Sequence, residues 1–173
     1  MKEAVIVAGV RTPVGRAIKG SLATLRPEAM AISTLQGLIK TLDDKIVPEQ
    51  IDDVILGCAM PEGPQGLNLA RLVAVGTGLS HQVPGVTVNR FCSSGLQSIA
   101  QASHAIMAGQ AKAIIAAGVE SMSAVPMSGF AFSADPELVT TYPDLYLPMG
   151  LTAEAVAKKY QISRQDQDDF AVQ

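Results

Sequence analysis

The chain has 173 residues, enough for one ordinary domain with its own core, and 13 basic against 16 acidic residues leave a net charge of −3 and a pI near 5.3. That balance offers no electrostatic footprint for a nucleic-acid backbone or an anionic membrane surface, so neither partner is expected. Only 17% of residues are charged, 48% are hydrophobic and mean hydropathy is +0.27, a surplus that either a membrane or a large protein interface must absorb.

The opening run Met1-Lys2-Glu3-Ala4-Val5-Ile6-Val7-Ala8-Gly9 is too short in its apolar part for a secretion signal and carries an acid at its third position. It reads as a first strand over residues 4–9 of a cytoplasmic protein. Short β-branched runs then alternate with helical periods, the pattern of βαβ units around a largely parallel, buried sheet. Further strands are predicted over 53–59, 85–88 and 113–119, each bounded by Gly, Pro or Asp. The helix between the first two strands starts near Pro27, sets Leu35, Leu38, Ile39 and Leu42 on one stripe, and ends at Asp43-Asp44. A second helix is predicted over 68–75, before the Gly76-Thr77-Gly78 break.

Residues 91–111 carry no charge and are about as long as a membrane span. The load of Ser93, Ser94, Gln97, Ser98, Gln101, Ser103 and His104 is wrong for hydrocarbon. A helix over 93–108, closing at Gly109, is instead expected to be packed against protein on all sides. After Glu120 the texture changes to Ser, Met, Pro and Phe without a clear period through Met149, which reads as an inserted loop region. Two helices follow, over 152–160 and from a cap at Ser163 with Asp166 at its third position. The sequence stops inside that last helix, as a piece of a larger protein would.

The sharpest chemical feature is Val88-Asn89-Arg90-Phe91-Cys92-Ser93-Ser94-Gly95, where a strand runs into a helix with Cys92 at the turn. Backbone N–H groups of a first helical turn have no partner inside the helix, so they favour a thiolate and an oxyanion formed beside it by about 0.3–2 kcal/mol. The small side chains that follow leave room for a substrate. Free cysteines are more often small buried hydrophobes, and the spacing alone leaves the nucleophile and packing readings of Cys92 evenly balanced. Cys58, at a strand end, is expected to be packing. His104 lies about 18 Å along the helix from Cys92 and cannot serve it as a base, while His81 sits in a polar loop and reads as solvated. With two cysteines and two histidines in all, neither a disulfide framework nor a metal site is indicated.

The stretch Val88-Asn89-Arg90-Phe91-Cys92-Ser93-Ser94-Gly95-Leu96-Gln97-Ser98-Ile99 resembles the nucleophile signature of the thiolase family, and Ala117-Gly118-Val119-Glu120-Ser121-Met122-Ser123 resembles the family's next block. Arg11-Thr12-Pro13, Met149-Gly150-Leu151-Thr152-Ala153-Glu154, Ile162-Ser163-Arg164 and Gln167-Asp168 are similar to further blocks, so the likeness runs along essentially the whole chain. It implies an α/β fold, the amino-terminal half of a thiolase-like fold: a mixed sheet flanked by helices over residues 1–120, and the start of an inserted loop domain over 121–173. The activity implied is thiolytic cleavage of a 3-ketoacyl-CoA to acetyl-CoA and a shortened acyl-CoA, or the reverse condensation. Cys92 matches the acyl-accepting nucleophile and Met149 a residue lining the thioester pocket. Coenzyme A enters as substrate, with no tightly bound cofactor and no metal.

Within the family, Pro61-Glu62-Gly63-Pro64-Gln65-Gly66-Leu67-Asn68, and Pro148 where the acetoacetyl-CoA branch usually has His, resemble the degradative branch of lipid metabolism. The resemblance also implies a homodimer or tetramer, and a carboxy-terminal half that supplies the activating His, a second Cys and an asparagine-held water. The strand that completes the first sheet follows the insert in the family and is absent here. On its own the chain is therefore expected to be catalytically incomplete, and the alternative expectation is a fragment that only associates. A decarboxylating ketosynthase is disfavoured by the Met149 block.

Overall fold

A computed structural model describes residues 3–42 and 46–173, so the expected helix stop at Asp43-Asp44 lies outside the described residues. The chain divides into two compact units, Met1–Ala131 and Phe132–Gln173. Residues 121–131 thus belong with the first unit, although the change of texture begins after Glu120. They are tied to it by Ser121 N–H donating to Gln65 Oε1 at 2.5 Å and Phe130 N–H donating to Glu62 Oε2 at 2.7 Å.

The first unit is built on three parallel strands, β1 (Asp53–Gly57), β2 (Gly85–Val88) and β3 (Ile114–Gly118), in the order β2-β1-β3. Ile55 of β1 lies opposite Val86 on one side and Ala116 on the other. Successive residues of a strand face opposite ways. Val54, Leu56 and Cys58 therefore join a core with Ala31 and Leu35 of α1 (Pro27–Thr41) and Leu69 and Val73 of α2 (Leu69–Thr77), while Gly57 faces α3 (Ser94–Met107). Each fully buried Leu or Val on that face stabilises by about 1.5–3 kcal/mol. Asn68 caps α2 by accepting from Arg71 N–H at 3.3 Å and reaches the sheet through Nδ2, 2.6 Å from Gly85 O. The helix ends at Gly78 with φ +95°, a conformation that suits glycine.

Two expectations fail in instructive ways. Residues 3–16 form no strand, helix or turn, and Val5, Ile6 and Val7 are exposed, Ile6 by 84%. A run of strand composition becomes a strand only beside a hydrogen-bonding neighbour, and a cavity of about 540 Å³ lies between the segment around Arg11 and β3, whose far edge has no strand partner among the described residues. The three strands among the described residues are all parallel and flanked by helices, the α/β arrangement expected, with no antiparallel member among them. The charge-free helix α3 is also not enclosed on every side. Ser94, Ser98 and Ala102, one stripe at a spacing of four, are buried, but Leu96 and Ile99 are exposed.

The second unit holds α4 (Pro136–Thr141), a short 3₁₀ turn at Pro143–Tyr146, α5 (Met149–Tyr160) and α6 (Arg164–Val172), and no helical residue in it is buried. Local caps carry much of its order. Asp135 accepts from Leu138 N–H at 2.9 Å, and Ser163 with Asp166 forms the expected reciprocal cap. The Phe132 and Tyr146 rings meet edge to face, 5.7 Å apart. Among the described residues, no helix is long and apolar enough to cross a membrane.

Candidate active site

Strand β2 ends at Val88 and α3 begins at Ser94, leaving five residues to turn the chain through the end of the sheet. Cys92 is in that turn and its side chain is exposed. The residue before it, Phe91, has φ +46°, in the left-handed region that a bulky side chain rarely enters, at a cost of about 1–3 kcal/mol. Local bonds hold it there. Phe91 N–H donates to Asn89 Oδ1 at 2.8 Å, while Ser94 Oγ accepts from Arg90 N–H at 3.0 Å and donates to Phe91 O at 2.6 Å. Ser94 N–H also donates to Phe91 O, and Gln97 N–H to Ser93 O. Among the described residues, the N–H groups of Gly95 and Leu96 have no partner, so the first turn of α3 presents two free donors.

Close packing fixes where that turn stands. A Cβ on Gly57 would lie 2.7 Å from Gly95 N and closer still to Ser94 C, so only glycine at the end of β1 admits the helix. Ser98, fully buried one turn on, has its hydroxyl within hydrogen-bond distance of both Gly95 O, at 2.7 Å, and Ala117 O of β3, at 2.9 Å, which share its single proton. The helix start is thus seated directly on the ends of β1 and β3.

Beside it lies a polar cluster that joins Gln65 and Glu120, from two separate stretches of the chain. Glu120, just past β3, accepts from Ala59 N–H at 2.6 Å, from Met60 N–H at 3.3 Å and from Gln65 Nε2 at 2.7 Å. Gln65 is fully buried, and its amide also donates to Met60 O at 2.8 Å. One carboxylate and one amide therefore pin the loop after β1 to the end of β3. Cys58 sits beneath this cluster, 1% exposed, with Sγ 3.9 Å from Glu120 Oε1. Burial first, and the Glu120 charge second, push its thiol up to about 12. Packing is its expected and observed role.

A family sequence profile described as "Thiolase, N-terminal domain" matches residues 4–173. The chain belongs to the thiolase family. It is 53% identical over 172 residues to a 3-ketoacyl-CoA thiolase of Bacillus subtilis and 42% identical over 173 residues to a 3-ketoacyl-CoA thiolase of Shewanella loihica, each match covering 99% of this chain and 44% of the relative. A 3-oxoadipyl-CoA/3-oxo-5,6-dehydrosuberyl-CoA thiolase of Escherichia coli is 40% identical over 188 residues, covering 99% of this chain and 46% of that protein. The chain thus spans less than half the length of these relatives.

The other thiolase blocks are spread over both units. Arg11, Thr12 and Pro13 line the cavity beside β3. Met149 opens α5 in the second unit and is exposed, whereas Cys92 lies in the first unit. His104 is in the last turn of α3 and His81 in the loop after α2, both exposed. The helix in 136–141 had a legible signal, Asp135-Pro136-Glu137, an N-cap followed by a favoured first-turn residue and an acid. Gln65 and Glu120 each lie in a stretch that resembles the family, but their pairing had no signal, because 55 residues separate them.

Proposed function

We propose that this chain carries the nucleophile of a 3-ketoacyl-CoA thiolase and that Cys92 is the acyl-accepting thiol. The observation that carries the reading is the placement of Cys92: exposed, on the turn out of β2 that leads into the first turn of α3, where the N–H groups of Gly95 and Leu96 have no partner among the described residues. The printed names of the relatives support the substrate class. In the forward step Cys92 Sγ bonds to C3 of a 3-ketoacyl-CoA and the C2–C3 bond breaks. The electron pair stays on C2, which takes up a proton to leave as acetyl-CoA. The thiol of a second CoA then displaces Sγ from the thioester, releasing a shortened acyl-CoA and returning the proton to Cys92. Free backbone donors at the helix start are the groups available to an oxyanion at C3, where losing one such donor in a built site costs about 10²–10³ in rate.

Met149 is assigned, by resemblance, to the lining of the thioester pocket. Coenzyme A is a substrate with no tightly bound cofactor, and the protein is read as a cytoplasmic homodimer or tetramer working in the degradative direction. The test is intact-mass analysis after incubation with a 3-ketoacyl-CoA. An acyl adduct mapping to Cys92 and absent from Cys92→Ala is expected; acylation at another residue overturns the assignment. A second reading is a thiolase-fold unit that only associates. It predicts assembly in sedimentation with no adduct.

A further inference from the structure

The course of the chain into Cys92 depends on a conformation that Phe91 does not favour, and one buried hydroxyl spans that residue. Ser94 is 4% exposed, and its Oγ is bonded both to the N–H of Arg90 and to the carbonyl of Phe91. The Phe91 side chain is itself 66% exposed, so packing around the ring does not explain why φ is +46°. The constraint comes from the backbone groups on either side. Asn89 holds the Phe91 N–H, Ser94 holds the Arg90 N–H and the Phe91 O, and the next residue is the cysteine.

We propose that Ser94 is a positioning residue for Cys92: its hydroxyl keeps Phe91 in the left-handed region and so sets the direction in which the thiol leaves the strand-to-helix turn. This rests on the reading of Cys92 as nucleophile. Ser94 reaches no reacting atom and acts only through Phe91. Without its Oγ the Arg90 N–H loses its acceptor, and Phe91 is free to return to negative φ, which bulky side chains prefer. Asparagine enters the left-handed region far more readily than phenylalanine. Phe91→Asn should therefore compensate for loss of the hydroxyl, a rescue that a merely space-filling Ser94 would not show.

The experiment compares the 173-residue chain with Ser94→Ala and with Ser94→Ala/Phe91→Asn. Backbone ¹³C shifts and the H–N–C–H coupling at position 91 report φ directly. The left-handed signature should be present in the parent, lost in Ser94→Ala and regained in the double variant. Acylation of Cys92 by acetoacetyl-CoA, read by intact mass, should fall at least tenfold in Ser94→Ala and recover at least threefold in the double variant. Iodoacetamide, which needs no particular approach, should label Cys92 at rates within threefold throughout. Retention of the left-handed signature in Ser94→Ala overturns the inference, as does a loss of acylation that Phe91→Asn does not rescue. If Ser94→Ala does not fold, folding of the double variant supports the inference, and failure of both assigns Ser94 to packing and overturns it. If the parent chain takes up no acyl group, the position 91 signal decides the role of Ser94 by itself.

Discussion

Cys58 and Cys92 stand at the same end of one parallel sheet and have opposite surroundings. Cys58 follows β1 directly, and the loop after it is folded back by Gln65 and Glu120, which leaves the thiol buried and pushed up to about 12. Cys92 follows β2 by four residues and is succeeded almost at once by α3, which leaves it exposed at a helix start. Availability for chemistry is thus decided by the connection that follows the strand, not by the residue type or the place on the sheet. Parallel sheets gather their functional groups at this end because every strand delivers its following loop there.

The contrast predicts a large difference in labelling. At pH 8 a thiol at about 12 is ionised to the order of 10⁻⁴, and iodoacetamide reacts with the thiolate, so Cys92 should be labelled more than about 100-fold faster than Cys58 in the folded chain. Peptide mass analysis checks this, and comparable rates would break the comparison.

A smaller effect should come from Glu120→Ala, which strips the acceptor from Ala59 N–H and from one bond of the buried Gln65 amide. Loss of about 1–3 kcal/mol in urea unfolding is expected, together with faster labelling of Cys58 as the charge goes and the loop loosens. If Cys58 stays as protected as before, the Glu120 cluster is not what closes over it.

The smallest effect lies at the opposite end of the same strand pair. There Asp52 Oδ2 accepts from Lys112 N–H at 2.6 Å and Ala113 N–H at 3.0 Å, and these backbone bonds hold its carboxyl below the usual range. A depressed carboxyl contributes stability that is present above its unfolded value, about 3.9, and is lost as pH falls toward the folded one. Asp52→Asn should therefore be less stable than the parent near neutral pH, with the gap narrowing below about pH 4 in urea melts. A gap constant with pH would show that the Asp52 charge is not part of the fastening.

The elements read well wherever the deciding signal is local. Gly85–Val88 is bounded as expected because Pro84 and Asn89 punctuate it, and the Ser163 cap forms because both partners lie within one turn. The apolar run at residues 4–9 has strand composition but no neighbouring strand, and a ladder is a property of two segments. The site divides the same way. A strand, a cysteine, then small residues opening a helix put Cys92 at its turn from sequence alone. The clamp on Phe91 was harder to see, because serines near helix starts are common and only geometry shows one bonded across the preceding turn. The bonds from Gln65 to Glu120 and from Ser98 to Ala117 join residues that only the folded sheet brings together.

The side of β3 with no strand partner among the described residues has a practical consequence for handling the protein. Ile114–Gly118 contains no charge and no proline, the devices by which natural sheets discourage strangers from adding a strand, and the apolar Val5-Ile6-Val7 run is exposed in the same unit. Such a surface invites edge-to-edge aggregation, which grows with concentration. Lifetime in solution should therefore be limited by colloidal loss of folded material as much as by the free energy of unfolding, and a lysine introduced at Ala116 is the simplest gatekeeper.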